Sequence, residues 1–571
     1  MIIKRLTRLS FVILALFGLI LLRLFWVQVI ENNYYEARAA GQRTLRETLQ
    51  ARRGEILVHE KDQTISLATT KTGWLLAINP KLLGDPEKTY EVFKNATHID
   101  IPKDEFMQKA SKKQDPYEVI LHRVSRDAKN EIEAVNLPGV IFEPEEWRFY
   151  PAGDLASHLI GFVGADGTGQ YGLERTYNKT LTGVNGIFEG ETTLGGRLLA
   201  FGKSLTSEEQ NGNNILITID AGVQTHLEQV IADAMKEYDA ASAGGIVMDP
   251  RTGKILAMAS SPSFDPNLYS KEKNIGIFQN PNTESLFEMG SVMKPLTMAA
   301  AFDVGAATPE TTYFDEGNIV IDKQTISNYD RKGRGKIPMY EILAQSLNTG
   351  AVFLMNAMGK DVFRSYMYSY GFGKPTGVEL NNEVAGNVKN LESTRTVEYA
   401  TASFGQGIAV TPIEMARALS SLANGGNLIH PYLVEEIRNG DRSIVKHEEK
   451  TPERVMKEET AKTVTRLLVE VVDKKLANGK GKIPGYSVAA KTGTAQIAQE
   501  DRRGYSDEFL HTFFGYGPAY DSKFFVYLYL EKPHGIRFAS ESLTEPFRSM
   551  IRFLFSYYEV PPDRPQELAR Q

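Results

Sequence analysis

The sequence predicts a membrane-anchored chain of mixed α/β (α+β) class, with an antiparallel sheet flanked by helices in its C-terminal part. Three observations carry this. One long apolar segment lies at the N-terminus. Strand-like runs open and close the C-terminal part, with helical runs between them. Composition is ordinary for a folded protein, 42% hydrophobic and 24% charged over 571 residues, which suits two or three domains.

Leu9 to Leu22 is nearly all apolar, and Leu24 to Ile30 continues the run past Arg23. Together they reach the roughly 20 residues that span a bilayer. Lys4, Arg5 and Arg8 precede the span, so residues 1–8 are expected inside and the bulk of the chain outside. Arg23 is placed near the outer interface, with Trp26 as an anchor. The small-x-small site Ala37-Arg38-Ala39 offers a signal-peptide alternative, but the apolar core is too long for it. A net charge of −6 gives no reason to expect nucleic-acid binding. The chain has no cysteine, which excludes disulfides, cysteine nucleophiles and thiolate metal sites.

Residues 31–208 read as a non-catalytic region. Residues 32–50 are polar with a helical pattern, as in a stalk. Arg52-Arg53-Gly54-Glu55-Ile56 opens short strands and helices, and residues 84–136 read as a charged helical lobe. Glycines then mark turns around Arg148-Phe149-Tyr150-Pro151-Ala152-Gly153 and Tyr171-Gly172-Leu173-Glu174. Gly164-Ala165-Asp166-Gly167-Thr168-Gly169 lacks the ending of a phosphate loop and reads as a plain loop. At least one of Arg53 and Arg148 is expected to pair with Glu174 and tie these segments together.

Residues 212–560 follow a linker at Asn211-Gly212-Asn213-Asn214, and residues 561–571 read as a tail. Ile215 to Ile219 is a strand and Ala221 to Tyr238 a helix. Two strands, Gly244 to Met248 and Lys254 to Met258, flank the turn Asp249-Pro250-Arg251-Thr252-Gly253. Helices are expected over 337–370, interrupted at Gln345 to Gly350, and over 411–424 and 457–474. Ser487 to Thr494 is a strand of small residues. Thr512 to Tyr516 and Phe524 to Leu530 form a hairpin.

Ser291-Val292-Met293-Lys294 enters the Ala-rich helix Leu296 to Val304. Three residues apart on a helix, the hydroxyl and amine share a face, as nucleophile and base must. About two Ser-x-x-Lys matches are expected by chance in a chain this long, and two more occur, at Ser270 and Ser443. Neither enters an apolar helix. Downstream stand Ser346-Leu347-Asn348 and Lys491-Thr492-Gly493; a second Lys-Thr-Gly, at Lys71, lies upstream of the serine.

Ser-x-x-Lys, Ser-x-Asn and Lys-Thr-Gly in this order resemble penicillin-binding proteins and class A β-lactamases. Arg53-Gly54, Arg148 to Gly153, Gly172-Leu173-Glu174 and Phe404-Gly405-Gln406-Gly407 with Thr411-Pro412 extend the resemblance to class B penicillin-binding proteins. It covers nearly the whole chain. Val58-His59-Glu60-Lys61-Asp62 departs from the family's usual turn. The Ser-Leu-Asn spelling is closer to the division-type branch than to the elongation-type branch.

The resemblance implies a penicillin-binding transpeptidase domain on a pedestal of the dimerisation type. It implies a peptidoglycan D,D-transpeptidase that needs no cofactor and no metal. Ser291 would be the nucleophile and Lys294 the base. Ser346 would relay a proton, Asn348 hold the substrate amide and Lys491 supply charge. Thr492, Gly493 and Thr494 would bind the donor's terminal carboxylate, and the backbone N–H groups of Ser291 and Thr494 would form the oxyanion hole. Substrates would be peptidoglycan stem peptides, with β-lactams acylating the same serine. The implied partners are a membrane-embedded glycan polymerase of the SEDS type and other divisome or elongasome proteins. A β-lactamase or β-lactam sensor is the first rival. Its deacylating Glu would have to come from Glu379-Leu380-Asn381-Asn382-Glu383, where the spacing is wrong. A non-catalytic membrane scaffold is the second rival, disfavoured by the intact motifs.

Overall fold

The computed structural model describes residues 2–32, 34–35, 44–191, 205–440, 442–499 and 504–570. The chain divides into two compact units, Met1–Arg53 with Thr182–Gly212, and Gly54–Leu181 with Asn213–Gln571.

In the first unit, an α-helix, Ile2–Phe25, continues into a π-helical turn, Trp26–Ile30. Leu9–Ile30 is long and apolar enough to cross a membrane. Thr44–Leu49 is a strand, not the end of a helical stalk. It pairs antiparallel with Gly186–Glu191, which pairs with Leu205–Ser207. The partner strand is distant in sequence, so local periodicity could not reveal it. The Ala37-Arg38-Ala39 site lies outside the described residues.

The second unit holds two large sheets. One has five antiparallel strands in the order Ile255–Ser261, Ser242–Met248, Phe524–Glu531, Tyr505–Gly517, Ala489–Ala498. Side chains alternate between its faces. Phe525, Tyr527 and Tyr529 join the core shared with Leu296, Leu419 and Leu468. Val526, Leu528 and Leu530 join the core shared with Leu227, Phe547 and Leu554. With helices on both faces, Phe524 to Leu530 is apolar throughout instead of alternating with polar residues. The C-terminal helix Thr544–Tyr557 covers one face and was not expected from the sequence.

The other sheet runs Arg442–Lys446, Val434–Asn439, Asn214–Asp220, Ile56–Glu60, Gln63–Ile78, Glu118–Val124, with Val140–Phe149 also on Gln63–Ile78. Ile56–Glu60 lies parallel to Asn214–Asp220, so pedestal strands and C-terminal strands share one ladder. The 84–136 lobe holds helices Pro86–Thr97, Lys103–Ser111 and Arg126–Ala134 around Phe93, Phe106 and Ile132, with one strand, Glu118–Val124, among them. Lys71 of the upstream Lys-Thr-Gly lies in Gln63–Ile78, its ammonium 3.4 Å from the Phe149 ring centroid. Gly164 to Gly169 is a loop, closed by a Val163–Gly169 bridge. Residues beyond 560 dock onto the domain: Arg564 Nη1 donates to Asp473 Oδ2 at 2.8 Å, and Ser487 N donates to Asp563 Oδ1 at 2.8 Å.

Arg148 Nε donates to Glu174 Oε1 at 2.6 Å, with the two side chains 5% and 0% exposed. Arg148 Nη1 also donates to the Gly54 carbonyl at 2.7 Å, and Tyr150 Oη to Glu174 Oε1 at 3.4 Å. One buried pair thus ties three glycine-bearing segments. Glu174→Ala leaves the Arg148 charge buried without its partner. It is expected to lower unfolding free energy by about 3–5 kcal/mol. Chemical denaturation of both proteins measures this; an unchanged midpoint would contradict the structural role.

Candidate active site

Ser291 sits in a 3₁₀ turn, Gly290–Met293, that runs directly into the helix Lys294–Asp303. Pro295 falls in the first helical turn, where its missing N–H costs nothing. Two glycines let this turn pack. Gly290, at φ +65°, donates its N–H to Gly405 O at 3.0 Å, and a Cβ on Gly405 would stand 2.2 Å from Gly290 O. A Cβ on Gly493 would lie 2.7 Å from Met289 O and 2.3 Å from Thr512 Oγ1, so only glycine lets the Lys-Thr-Gly strand pass the serine turn. Thr512 Oγ1 fastens the same point by donating to Met289 O at 2.9 Å.

Ser291, Ser346, Asn348, Lys491, Thr492 and Thr494 line one cleft of about 1020 Å³. Lys294 lies behind them, 1% exposed. Its Nζ donates to Ser346 O at 2.6 Å and Asn348 Oδ1 at 2.8 Å and lies 3.3 Å from Ser346 Oγ. Lys491, 3% exposed, donates from Nζ to Ser346 Oγ at 3.1 Å and to Thr492 O at 2.8 Å. The Ser346 hydroxyl therefore stands between two buried amines. Ser346 itself has φ +55°, a left-handed conformation that costs a non-glycine residue energy. Asn348 opens the helix Asn348–Met358, and its Nδ2 donates to Ser327 O at 2.9 Å.

Electrostatics separate the two lysines. Burial, and secondly the charge of Lys491, hold the Lys294 amine well below the ordinary lysine range. Burial alone brings Lys491 down to about 7. Lys294 can therefore be neutral while Lys491 keeps its proton. Among the described residues, the Ser291 hydroxyl has no hydrogen-bond partner, and Lys294 directs its bonds at Ser346 and Asn348. The serine–lysine hydrogen bond implied by helix spacing is thus not formed here. Such contacts commonly tighten only when substrate is bound.

The other Ser-x-x-Lys matches lie elsewhere, Ser270 in the 3₁₀ turn Pro266–Lys271 and Ser443 in the strand Arg442–Lys446. Sequence reasoning missed part of the cleft wall. Tyr505 lines it and donates to Glu288 Oε2 at 2.9 Å, while Tyr329 meets Phe538 edge-on with centroids 5.7 Å apart. These residues belong to no motif, and only folding brings them to the cleft. His511, buried and at about 4, bonds Ser542 Oγ and Arg537 O. Glu379 accepts from Leu433 N and Glu383 from Thr376 N; neither lines the cleft. Among the described residues, no group of three His, Asp or Glu side chains is placed to hold a metal.

Residues 243–552 match the penicillin binding protein transpeptidase domain, and residues 48–217 match the penicillin-binding protein dimerisation domain. The chain belongs to the penicillin-binding proteins. It is 30% identical over 541 residues to stage V sporulation protein D of Bacillus subtilis, covering 92% of this chain and 82% of that one. It is 28% identical over 573 residues to the probable peptidoglycan D,D-transpeptidase PenA of Neisseria gonorrhoeae, covering 98% and 94%. Penicillin binding protein 2X of Streptococcus thermophilus shares its fold, with a TM-score of 0.74 at 24% identity over 90% of this chain and 80% of that one.

A penicillin-binding protein that uses this pair gives a defined pH profile. The second-order acylation constant with a carboxylate-bearing β-lactam rises with pH as Lys294 deprotonates, then falls above about pH 7 as Lys491 loses its charge. Arginine stays charged in a protein. Lys491→Arg is therefore expected to keep measurable acylation and move the alkaline limb to higher pH. Lys294→Arg is expected to lose about 10²–10⁴-fold, the usual cost of a general base. An alkaline limb that stays in place in Lys491→Arg would assign it to another group.

Proposed function

We propose that the chain is a class B peptidoglycan D,D-transpeptidase acting through a serine acyl-enzyme. The observation that carries the reading is the Ser346 hydroxyl held 3.3 Å from Lys294 Nζ and 3.1 Å from Lys491 Nζ, in a cleft that Ser291 lines. Ser291 Oγ attacks the carbonyl of the penultimate D-Ala of a stem peptide as neutral Lys294 takes its proton. The backbone N–H groups of Ser291 and Thr494 hold the oxyanion. Ser346, bonded to both amines, passes a proton to the departing D-Ala nitrogen. Asn348 holds the peptide amide. Thr492 and Thr494, with Gly493 between them and the Lys491 charge beside them, receive the terminal carboxylate. An amine of a second stem then takes the acyl group. A β-lactam enters the first half of the same sequence and stays on Ser291.

The reading assigns residues 1–8 to a cytoplasmic tail and 9–30 to a single anchor. Residues 31–208 form the pedestal, 212–560 the transpeptidase domain and 561–571 the C-terminal tail. Lys4, Arg5 and Arg8 support an inside N-terminus and an extracytoplasmic catalytic domain. With no polymerase motif in its own sequence, the chain is paired with a membrane-embedded glycan polymerase of the SEDS type and other wall-synthesis proteins. The Ser-Leu-Asn motif supports a septal, division-type role.

Fluorescent penicillin on spheroplasts tests the reading. The wild-type chain is expected to label stably, Ser291→Ala not at all, and external protease to remove the labelled domain. Rapid turnover of the label would point to a β-lactamase, and no label to a scaffold. A label on Ser291→Ala would defeat the nucleophile assignment, and full protection from protease the topology.

A further inference from the structure

Behind the Ser-Leu-Asn motif lies a carboxylate that the mechanism above does not use. Asp315 ends the strand Thr312–Asp315 and is 1% exposed. Among the described residues it forms no ion pair. It is held by neutral donors instead. Gly317 N donates to Oδ1 at 3.0 Å, and Asn328 Nδ2 lies 3.0 Å from both carboxylate oxygens. The Thr349 hydroxyl lies 2.8 Å from Asp315 Oδ1 and 3.1 Å from Asn328 Oδ1, which also accepts from Thr349 N at 3.2 Å. Burying a carboxylate that makes no ion pair is costly, with only the nearby charge of Arg334 to offset it, and an apolar packing of the same space would be cheaper. Stability of the fold alone does not account for it.

What the network fixes is the second motif. Thr349 directly follows Asn348, whose Oδ1 accepts from Lys294 Nζ at 2.8 Å. Asn328 directly follows Ser327, whose carbonyl accepts from Asn348 Nδ2 at 2.9 Å. Asp315 thus clamps the residue that follows Asn348 and the residue that follows the carbonyl holding Asn348 Nδ2, while Asn348 Oδ1 faces Lys294. Ser346, at φ +55°, lies two residues before Asn348 in the same turn. Asp315 itself does not line the cleft. We propose that Asp315 is a positioning residue for acylation: through Asn328 and Thr349 it sets Asn348 and Ser346 against Lys294. The inference rests on the transpeptidase reading given above.

Asp315→Asn sets an amide N–H₂ against the donors of Asn328, Gly317 and Thr349. In the exchanged pair Asp315→Asn/Asn328→Asp, the carboxylate at 328 accepts from the amide at 315 and still accepts from Thr349 N. Misplacing a reacting group by about 1 Å costs on the order of 10²-fold. In the full-length chain, Asp315→Asn is expected to lower the limiting acylation rate about 10- to 100-fold per folded molecule, with weaker change in non-covalent β-lactam binding. The exchanged pair is expected to recover most of it. If Asp315→Asn does not fold, Thr349→Val, which keeps the volume and removes the hydroxyl, decides, and a loss in the same direction is expected. A wild-type rate in Asp315→Asn, a pair no faster than the single variant, or a wild-type rate in Thr349→Val where that variant decides would overturn the proposal. A wild-type chain that is not acylated at all would instead defeat the transpeptidase reading.

Discussion

Two lysines buried against one hydroxyl cannot both be charged without a large cost. Lys294 and Lys491 each reach Ser346 Oγ, and both are nearly fully buried. Two like charges roughly 6 Å apart repel by about 3 kcal/mol at the effective permittivity of a protein interior. That repulsion adds to the burial that already weakens each amine's hold on its proton. Burial acts on both amines, but Lys294 also feels its neighbour's charge and gives up its proton first. In the proposed mechanism a side chain that is ordinarily an acid serves as the base, and the remaining charge faces the substrate carboxylate.

The fold is arranged to hold that pair in place. Lys294 is fixed at the start of a helix buried in the core, and Lys491 on the edge strand of a sheet covered on both faces. The strand can approach the serine turn because Gly493 has no side chain to hold them apart, and Gly405 lets a third segment pack on the same turn. The third element, Ser346 to Asn348, is the least regular. It is a strained turn held by side-chain hydrogen bonds, with Asp315 at the end of the chain of contacts.

Much of this was legible in the sequence because the chemistry is carried by short motifs. Ser291, Lys294, Ser346, Asn348, Lys491, Thr492 and Thr494 are marked by motifs that resemble those of penicillin-binding proteins, and the structure gathers them around one cleft. The long strands and helices of the C-terminal part were legible for a related reason: their periodicity is local. What escaped depends on distant partners. Thr44–Leu49 is a strand because Gly186–Glu191 lies beside it. The small hairpins Thr312–Asp315 with Gly335–Pro338 and Asn318–Ile321 with Gln324–Ser327 have little apolar pattern of their own. They supply Asp315 and Asn328, which no motif marks. Tyr505, Tyr329 and Phe538 reach the cleft from three separate segments, and no spacing rule joins them.

The proposed chemistry turns on which lysine of the pair holds the extra proton. Neutron diffraction from crystals of the unacylated protein near pH 6 measures it directly, by counting hydrogens on each Nζ. Two are expected on Lys294 and three on Lys491. Three on both, or two on Lys491 with three on Lys294, would contradict that assignment.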